Sequence, residues 1–121
     1  MRVMVIGLGS MGMGAALSLV RAGHEVFGVD PRGEACAELS NAGARETGPQ
    51  GLDFASQVEA VVILTVNAEQ VESVLFDKEG ISGKLPAGTP VMISSTVSAD
   101  DARRFGRELE KAGHIMLDAP V

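Results

Sequence analysis

Tryptophan and tyrosine are absent from this chain, and its only aromatic residues are four phenylalanines. The usual anchors of a protein-binding hot spot or of a base-stacking platform are therefore missing. Cysteine is scarce as well. The single Cys36 cannot close an internal disulfide, which fits a reducing compartment, so a cytoplasmic location is expected. Its helical spacing to Ala35, Leu39 and Ala42 makes it a core residue rather than a nucleophile. No apolar run approaches the roughly eighteen residues that a membrane helix requires, and the N-terminus enters an apolar segment without the pattern of a signal peptide. A soluble protein with no membrane partner is expected. Basic charge is also short, with 10 Lys and Arg against 16 Asp and Glu, a net charge of −6. The arginines are scattered, which leaves no basic stripe for phosphates and argues against a nucleic-acid partner.

What is present is enough for one domain with a real core: 121 residues, 45% of them hydrophobic. There is no solenoid repeat. The organising stretch is Val3-Met4-Val5-Ile6-Gly7-Leu8-Gly9-Ser10-Met11-Gly12, an apolar run broken by a glycine turn that restarts as a helix. In such a turn Gly7 allows the tight reversal, Gly9 lets backbone approach a diphosphate, and Gly12 lets the helix sit close to the strand. The helix N-terminus favours an anion without any basic side chain. A helix over 10–22 capped by Gly23, then the strand Glu25-Val26-Phe27-Gly28-Val29 ending at Asp30, supplies the context of a dinucleotide fingerprint, with an acid placed for an adenosine ribose.

The rest alternates strand and helix. Asp30 and Pro31 are read as a capping acid and a first-turn proline of a second helix closed by Gly43. A short third strand is expected over 44–47 and a short helix over 52–57. The apolar 60–64 reads as a strand covered on both faces. Asn67 caps a helix whose Val71, Val74 and Leu75 share a face, and 76–90 is loop-like. Strands at 91–93 and 115–117 flank a helix that starts at Ser98, with Asp100 and Asp101 in its first turn. His24 and His114 follow parallel helix ends, Arg21-Ala22-Gly23 and Lys111-Ala112-Gly113, and are read as capping or surface residues. The expected fold is an α/β doubly wound parallel (Rossmann) sheet of six strands in the order 3-2-1-4-5-6, formed by residues 1–121 as one dinucleotide-binding domain. Its ligand crevice should gather residues 7–12, Asp30, 64–67 and 94–96 at the strand ends.

Several separated motifs carry a family resemblance. Gly7-Leu8-Gly9-Ser10-Met11-Gly12, Arg21-Ala22-Gly23-His24, Ser94-Ser95-Thr96-Val97-Ser98 and Asp118-Ala119-Pro120-Val121 together resemble the β-hydroxyacid dehydrogenases, which include 3-hydroxyisobutyrate, tartronate-semialdehyde and 6-phosphogluconate enzymes. Met13-Gly14-Ala15-Ala16 is most similar to the sugar-acid branch that acts on L-threonate. The resemblance implies that Leu8, Ser10 and Met11 approach the cofactor diphosphate and Asp30 the adenosine ribose. Thr65 and Val66, with Asn67, would lie along the cofactor, and Thr96 near the nicotinamide ribose. Ala15, Ser18 and Ser94 depart from the family's usual Met, Asn and Asp. In the family the terminal motif is followed by a Ser-Gly-Gly substrate loop, a helical domain and a catalytic lysine. Residues 1–121 are thus expected to be the N-terminal cofactor-binding portion of a homo-oligomeric enzyme, inactive alone. Lys78, Lys84 and Lys111 sit in a loop and at a helix end, so no catalytic residue is assigned, and no metal site is expected.

The function expected is hydride transfer between a β-hydroxyacid, such as L-threonate or 3-hydroxyisobutyrate, and NAD. NADP is disfavoured because Asp30 would face its 2′-phosphate, although Arg32 is placed to offset that. The alternative is a nucleotide-binding module or cofactor sensor with no chemistry of its own.

Overall fold

The structure is a computed structural model and describes residues 1–65, 67–77, 80–95 and 97–118. The expectations for Val66 and Thr96 lie outside the described residues. Strands β1 (Arg2–Ile6), β2 (Glu25–Val29), β3 (Glu46–Gly48), β4 (Ala60–Ile63), β5 (Pro90–Ile93) and β6 (Ile115–Asp118) form one parallel sheet in the order β3-β2-β1-β4-β5-β6. The helices are α1 (Ser10–Arg21), α2 (Gly33–Asn41), α3 (Ala68–Phe76) and α4 (Ala99–Lys111). This is the Rossmann architecture and strand order expected from the alternation of elements.

The two faces of the sheet bury separate cores. On one, Met4 and Ile6 of β1, Phe27 and Val29 of β2, Val61 and Ile63 of β4, and Val91 and Ile93 of β5 pack against Val71 and Leu75 of α3 and Phe105 and Leu109 of α4. On the other, Val3, Val5 and Val26 pack against Met13 and Ala16 of α1 and Ala35, Cys36 and Leu39 of α2. This period-two division is what parallel strands with helices on both faces require.

Several local expectations change. Helix α2 begins at Gly33, with Arg32 at the N-cap and no side-chain cap, so Asp30 is not a capping acid and Pro31 is not a first-turn residue. Asp30 instead lies between strand and helix, where it is drawn toward the first glycine loop. Cys36 is buried as expected, but Ala42 is exposed, because α2 ends at Asn41 before it turns another residue inward. The third strand runs over Glu46–Gly48, and the 52–57 segment is two 3₁₀ turns, Gly51–Asp53 and Ala55–Gln57. Strand β4 is covered fully on one face only: Val61 and Ile63 are buried while Ala60 and Val62 are half-buried. At β6 the cover is thinner still, with Met116 half-buried and Ile115 and Leu117 exposed.

His114 is also not a surface residue. It is buried, its Nε2 lies 2.6 Å from the carbonyl oxygen of Ser82, and its Nδ1 has no hydrogen-bond partner among the described residues. A helix-terminal position carries no sign that the turn holding Ser82 packs against it. His24, by contrast, is half-buried with Nδ1 3.4 Å from the N-terminal amine.

No helix among the described residues is long and apolar enough to cross a membrane. No group of three or more His, Cys, Asp or Glu among them is placed to hold a metal ion.

Candidate functional site

The glycine turn after β1 divides its tasks as the sequence suggests. Gly7 has φ +95°, and a Cβ there would sit 2.7 Å from the Leu64 carbonyl oxygen, so the chain reverses in space that only glycine fits. A Cβ on Gly12 would lie 1.7 Å from the Gly7 carbonyl oxygen, which fixes how closely α1 packs on the end of β1. Gly9 differs from both. Its backbone is extended at φ −66° and ψ −174°, and a Cβ would meet nothing within 4 Å. No internal contact or torsion requires glycine at this position, so its use lies in the space above it.

That space adjoins the start of α1. Gly9 is the N-cap and contributes no side-chain hydrogen bond, and α1 has no acid in its first turn, so the positive end of the helix is uncompensated. Ser10 and Met11 are exposed at this end. The side chain of Leu8 points the other way, into the core beneath α1 and α2.

Asp30 is only 6% exposed, and both its oxygens are engaged. Oδ2 accepts from the Leu8 N–H at 2.8 Å and from Arg32 Nη2 at 3.1 Å. Oδ1 accepts from the Arg32 N–H and from Arg32 Nε, each at 2.9 Å. The guanidinium fork, followed by the two backbone N–H groups, holds the Asp30 carboxyl down at about 2 against the opposing effect of burial. Cys36 Sγ lies beneath, 3.4 Å from the Asp30 carbonyl oxygen. Asp30 therefore links the β2–α2 connection to the glycine loop, a role that the dinucleotide fingerprint did not assign to it. The N–H of Leu8, a residue that the family resemblance brings near a diphosphate, donates to this link.

Between the ends of β1, β2 and β4 lies a crevice of about 480 Å³. Its lining includes Gly7, Gly9, Asp30, Arg32, Leu64 and Thr65, part of the expected set from three loops, whereas Leu8, Ser10, Met11, Gly12, Asn67, Ser94 and Ser95 do not line it. Asn67 lies nearby in sequence, with its Oδ1 accepting from the Gln70 N–H at 3.0 Å as the cap of α3. Pro31, Pro49, Gln70, Ser73 and Val74 also line the crevice and were not singled out as site residues. The α3 members stand at i, i+3 and i+4, a spacing that signals a shared face, but their mixed polarity concealed which way that face points. A second groove of about 440 Å³ runs on the other side of the loop, between α1 and α2. The arrangement is an uncapped helix N-terminus, an open glycine and a buried carboxylate around one crevice at the C-terminal strand ends, which suits a phosphate-bearing ligand with a hydroxylated sugar.

Comparison with known proteins agrees with this geometry. The chain is 53% identical over 119 residues to the L-threonate dehydrogenase of Haemophilus influenzae, covering 98% of this chain and 40% of that protein. It is 36% identical to the 2-hydroxy-3-oxopropionate reductase of Escherichia coli, covering 41% of it. The crystal structure of 3-hydroxyisobutyrate dehydrogenase from Salmonella typhimurium superposes with a TM-score of 0.95 at 47% identity, over 99% of this chain and 41% of that one. The chain thus spans about 40% of the length of the relatives it matches. Residues 2–121 match the family described as the NAD binding domain of 6-phosphogluconate dehydrogenase, and it is to this family that the chain belongs.

Proposed function

We propose that this domain binds NAD in preference to NADP and serves as the cofactor half of an oxidoreductase that moves a hydride between a β-hydroxyacid and the nicotinamide. The observation that carries the reading is the open, uncapped start of α1 at Gly9, beside a carboxylate tied to the same loop. Gly7, Gly9, Ser10, Met11 and Gly12 would hold the diphosphate, Asp30 the adenosine ribose, and Thr65 and Asn67 the length of the cofactor. Val66 and Thr96 join this set on the family resemblance alone. When bound, the nicotinamide supplies the hydride acceptor. The names of the relatives point to a sugar acid such as L-threonate, or to 3-hydroxyisobutyrate, as the substrate class. Homo-oligomerisation and a cytoplasmic location are proposed on the resemblance and on the single, buried cysteine.

Preference for NAD rests on Asp30, whose carboxylate accepts hydrogen bonds from a ribose hydroxyl and repels a 2′-phosphate. Arg32 opposes it, being half exposed and able to turn its fork to a phosphate.

A second reading, a nucleotide-binding module without chemistry, is favoured by one observation. Among the described residues that line the crevice there is no lysine and no histidine, the side chains best suited to exchange a proton with a substrate hydroxyl near neutral pH. Calorimetric titration with NAD and NADP tests the binding reading. NAD should bind, and NADP should bind at least about tenfold more weakly, a difference of about 1.4 kcal/mol. Absence of NAD binding would remove the proposal, and equal or tighter NADP binding would reverse the preference. An NADH-formation assay with L-threonate and 3-hydroxyisobutyrate, run on the domain joined to the remainder of the Haemophilus influenzae relative, separates the two functions.

A further inference from the structure

We propose that Ser95 is a positioning residue for this site, holding the Thr65 hydroxyl so that its proton is presented to an acceptor oxygen in the ribose–diphosphate segment of the cofactor. The inference rests on the NAD-binding reading above and assigns a role to a residue that does not itself line the crevice.

The two hydroxyls meet because of strand register. Ile63 of β4 pairs with Ile93 of β5, and the ladder continues one step further through the Ser94 N–H donating to the Ile63 carbonyl oxygen at 2.9 Å. Thr65 and Ser95 stand two residues beyond that pair on neighbouring strand ends, with their Oγ atoms 3.3 Å apart. Thr65 is half-buried and lines the crevice, and its backbone N would lie 3.1 Å from a Cβ on Gly7. The Thr65 backbone thus stands next to the glycine loop, at the crevice that its residue lines.

The unequal burial of the pair sets the direction of the hydrogen bond. Ser95 is only 4% exposed, so its proton must be donated within the protein, and an undonated buried hydroxyl would carry a desolvation penalty. Thr65 has access to the crevice and to solvent. Ser95 therefore donates to Thr65 Oγ1, which leaves the Thr65 proton as the outward donor. The outer end of the chain selects an acceptor, such as a phosphate or ribose oxygen, over a group that can only donate. At 3.3 Å the pair is longer than the approximately 2.7–2.8 Å of an ideal hydroxyl contact, and polarisation by a bound anion at Thr65 should draw it shorter.

A double-mutant cycle in NAD affinity tests this in the 121-residue chain. Ser95→Ala should weaken NAD about three- to tenfold, the scale of a lost neutral hydrogen bond. Thr65→Val should weaken it by a similar factor or more. The double variant should be no worse than Thr65→Val alone, because Ser95 acts only through Thr65. Thr65→Ser, which keeps the hydroxyl, should stay sensitive to Ser95→Ala. A merely structural role would give the same loss in both backgrounds, and that result, or no loss at all, overturns the proposal while NAD binding by the parent stands. If the parent itself fails to bind NAD, the site reading and this inference fall together. Should Ser95→Ala fold poorly by circular dichroism, the near-isosteric Ser95→Cys, a weaker donor, takes its place, with an intermediate loss expected in the Thr65 background and none in the Thr65→Val background.

Discussion

Arg32 closes on Asp30 as a two-pronged clasp, Nε to Oδ1 at 2.9 Å and Nη2 to Oδ2 at 3.1 Å, across the place where a ribose would meet the acid. The clasp is lopsided in its exposure: the carboxylate is 6% exposed and the arginine 52%. The acid is held in place by the Leu8 and Arg32 backbone N–H groups as well as by the clasp, whereas the guanidinium sits at the end of a long, half-exposed side chain. The mobile partner in any exchange with a ligand is therefore Arg32.

Removing the clasp should separate the two cofactors. Arg32→Ala frees the Asp30 oxygens for a ribose hydroxyl and deletes the one cation among the described residues that line the crevice. NAD affinity should hold or rise slightly, while NADP should lose about tenfold or more, the scale of a charge-assisted contact to phosphate. Titration of both cofactors into parent and variant reads the result. An equal fall in both would mean that Arg32 serves the part of the site that the two cofactors share.

Asp30 should also set an acid limit on stability. Its carboxyl is held at about 2 in the folded chain, chiefly by the Arg32 fork, against an ordinary value of 3.8. Because the folded value lies below the unfolded one, the contribution is complete above pH 3.8 and is lost as pH falls toward 2. At about 1.36 kcal/mol per pH unit this amounts to roughly 2 kcal/mol, reduced by solvent screening at the exposed guanidinium. Chemical denaturation of the parent and of Asp30→Asn should show a stability gap near pH 5 that narrows sharply by pH 2.5. A gap that does not change with pH would show that the carboxylate charge is not what stabilises the loop.

Strand order and the glycine turn were legible in the sequence because each rests on local signals: the apolar runs, the capping glycines and the spacing of Gly7, Gly9 and Gly12. The role of Asp30 was legible only in part. Its distance from the loop marked an acid for a ribose, but its bond to the Leu8 N–H depends on two loops meeting across β1 and β2, which no local pattern records. His114 failed for the same reason, since the turn that buries it comes from residues 32 positions away. Ser73 and Gln70 were missed because a polar residue on an amphipathic helix is read as solvated unless the crevice beside it is already known.

Two helix caps offer a comparison between folding and binding. Asn67 Oδ1 accepts from the Gln70 N–H at 3.0 Å, and Ser98 Oγ accepts from the Asp101 N–H at 3.1 Å. Either residue changed to Ala should cost about 1 kcal/mol of stability. Only Asn67→Ala should also weaken NAD, because the helix it caps, α3, carries Gln70, Ser73 and Val74 on the crevice wall. Denaturation midpoints and NAD titrations on the pair test this, and equal NAD affinity in the two variants would reduce Asn67 to a cap.

The sharpest test lies in two glycines three residues apart. Gly9→Ala adds a methyl group where the backbone is extended and nothing stands within 4 Å, so the variant should fold with stability within about 0.5 kcal/mol of the parent. The same methyl occupies the space through which a diphosphate would reach the start of α1, so NAD affinity should fall by tenfold or more, a loss of about 1.4 kcal/mol at least. Gly12→Ala behaves in the opposite way. Its Cβ would lie 1.7 Å from the Gly7 carbonyl oxygen, a contact with backbone that no rotamer relieves. Helix α1 would have to lift from β1, at a cost at or beyond the upper end of the roughly 1–3 kcal/mol seen for overpacking, with NAD present or absent. Thermal denaturation with and without NAD distinguishes them. Gly9→Ala should melt like the parent without NAD and gain less than the parent from a fixed NAD concentration, whereas Gly12→Ala should melt lower in both conditions. A Gly9→Ala variant stabilised by NAD as fully as the parent would show that the diphosphate does not pass over this loop.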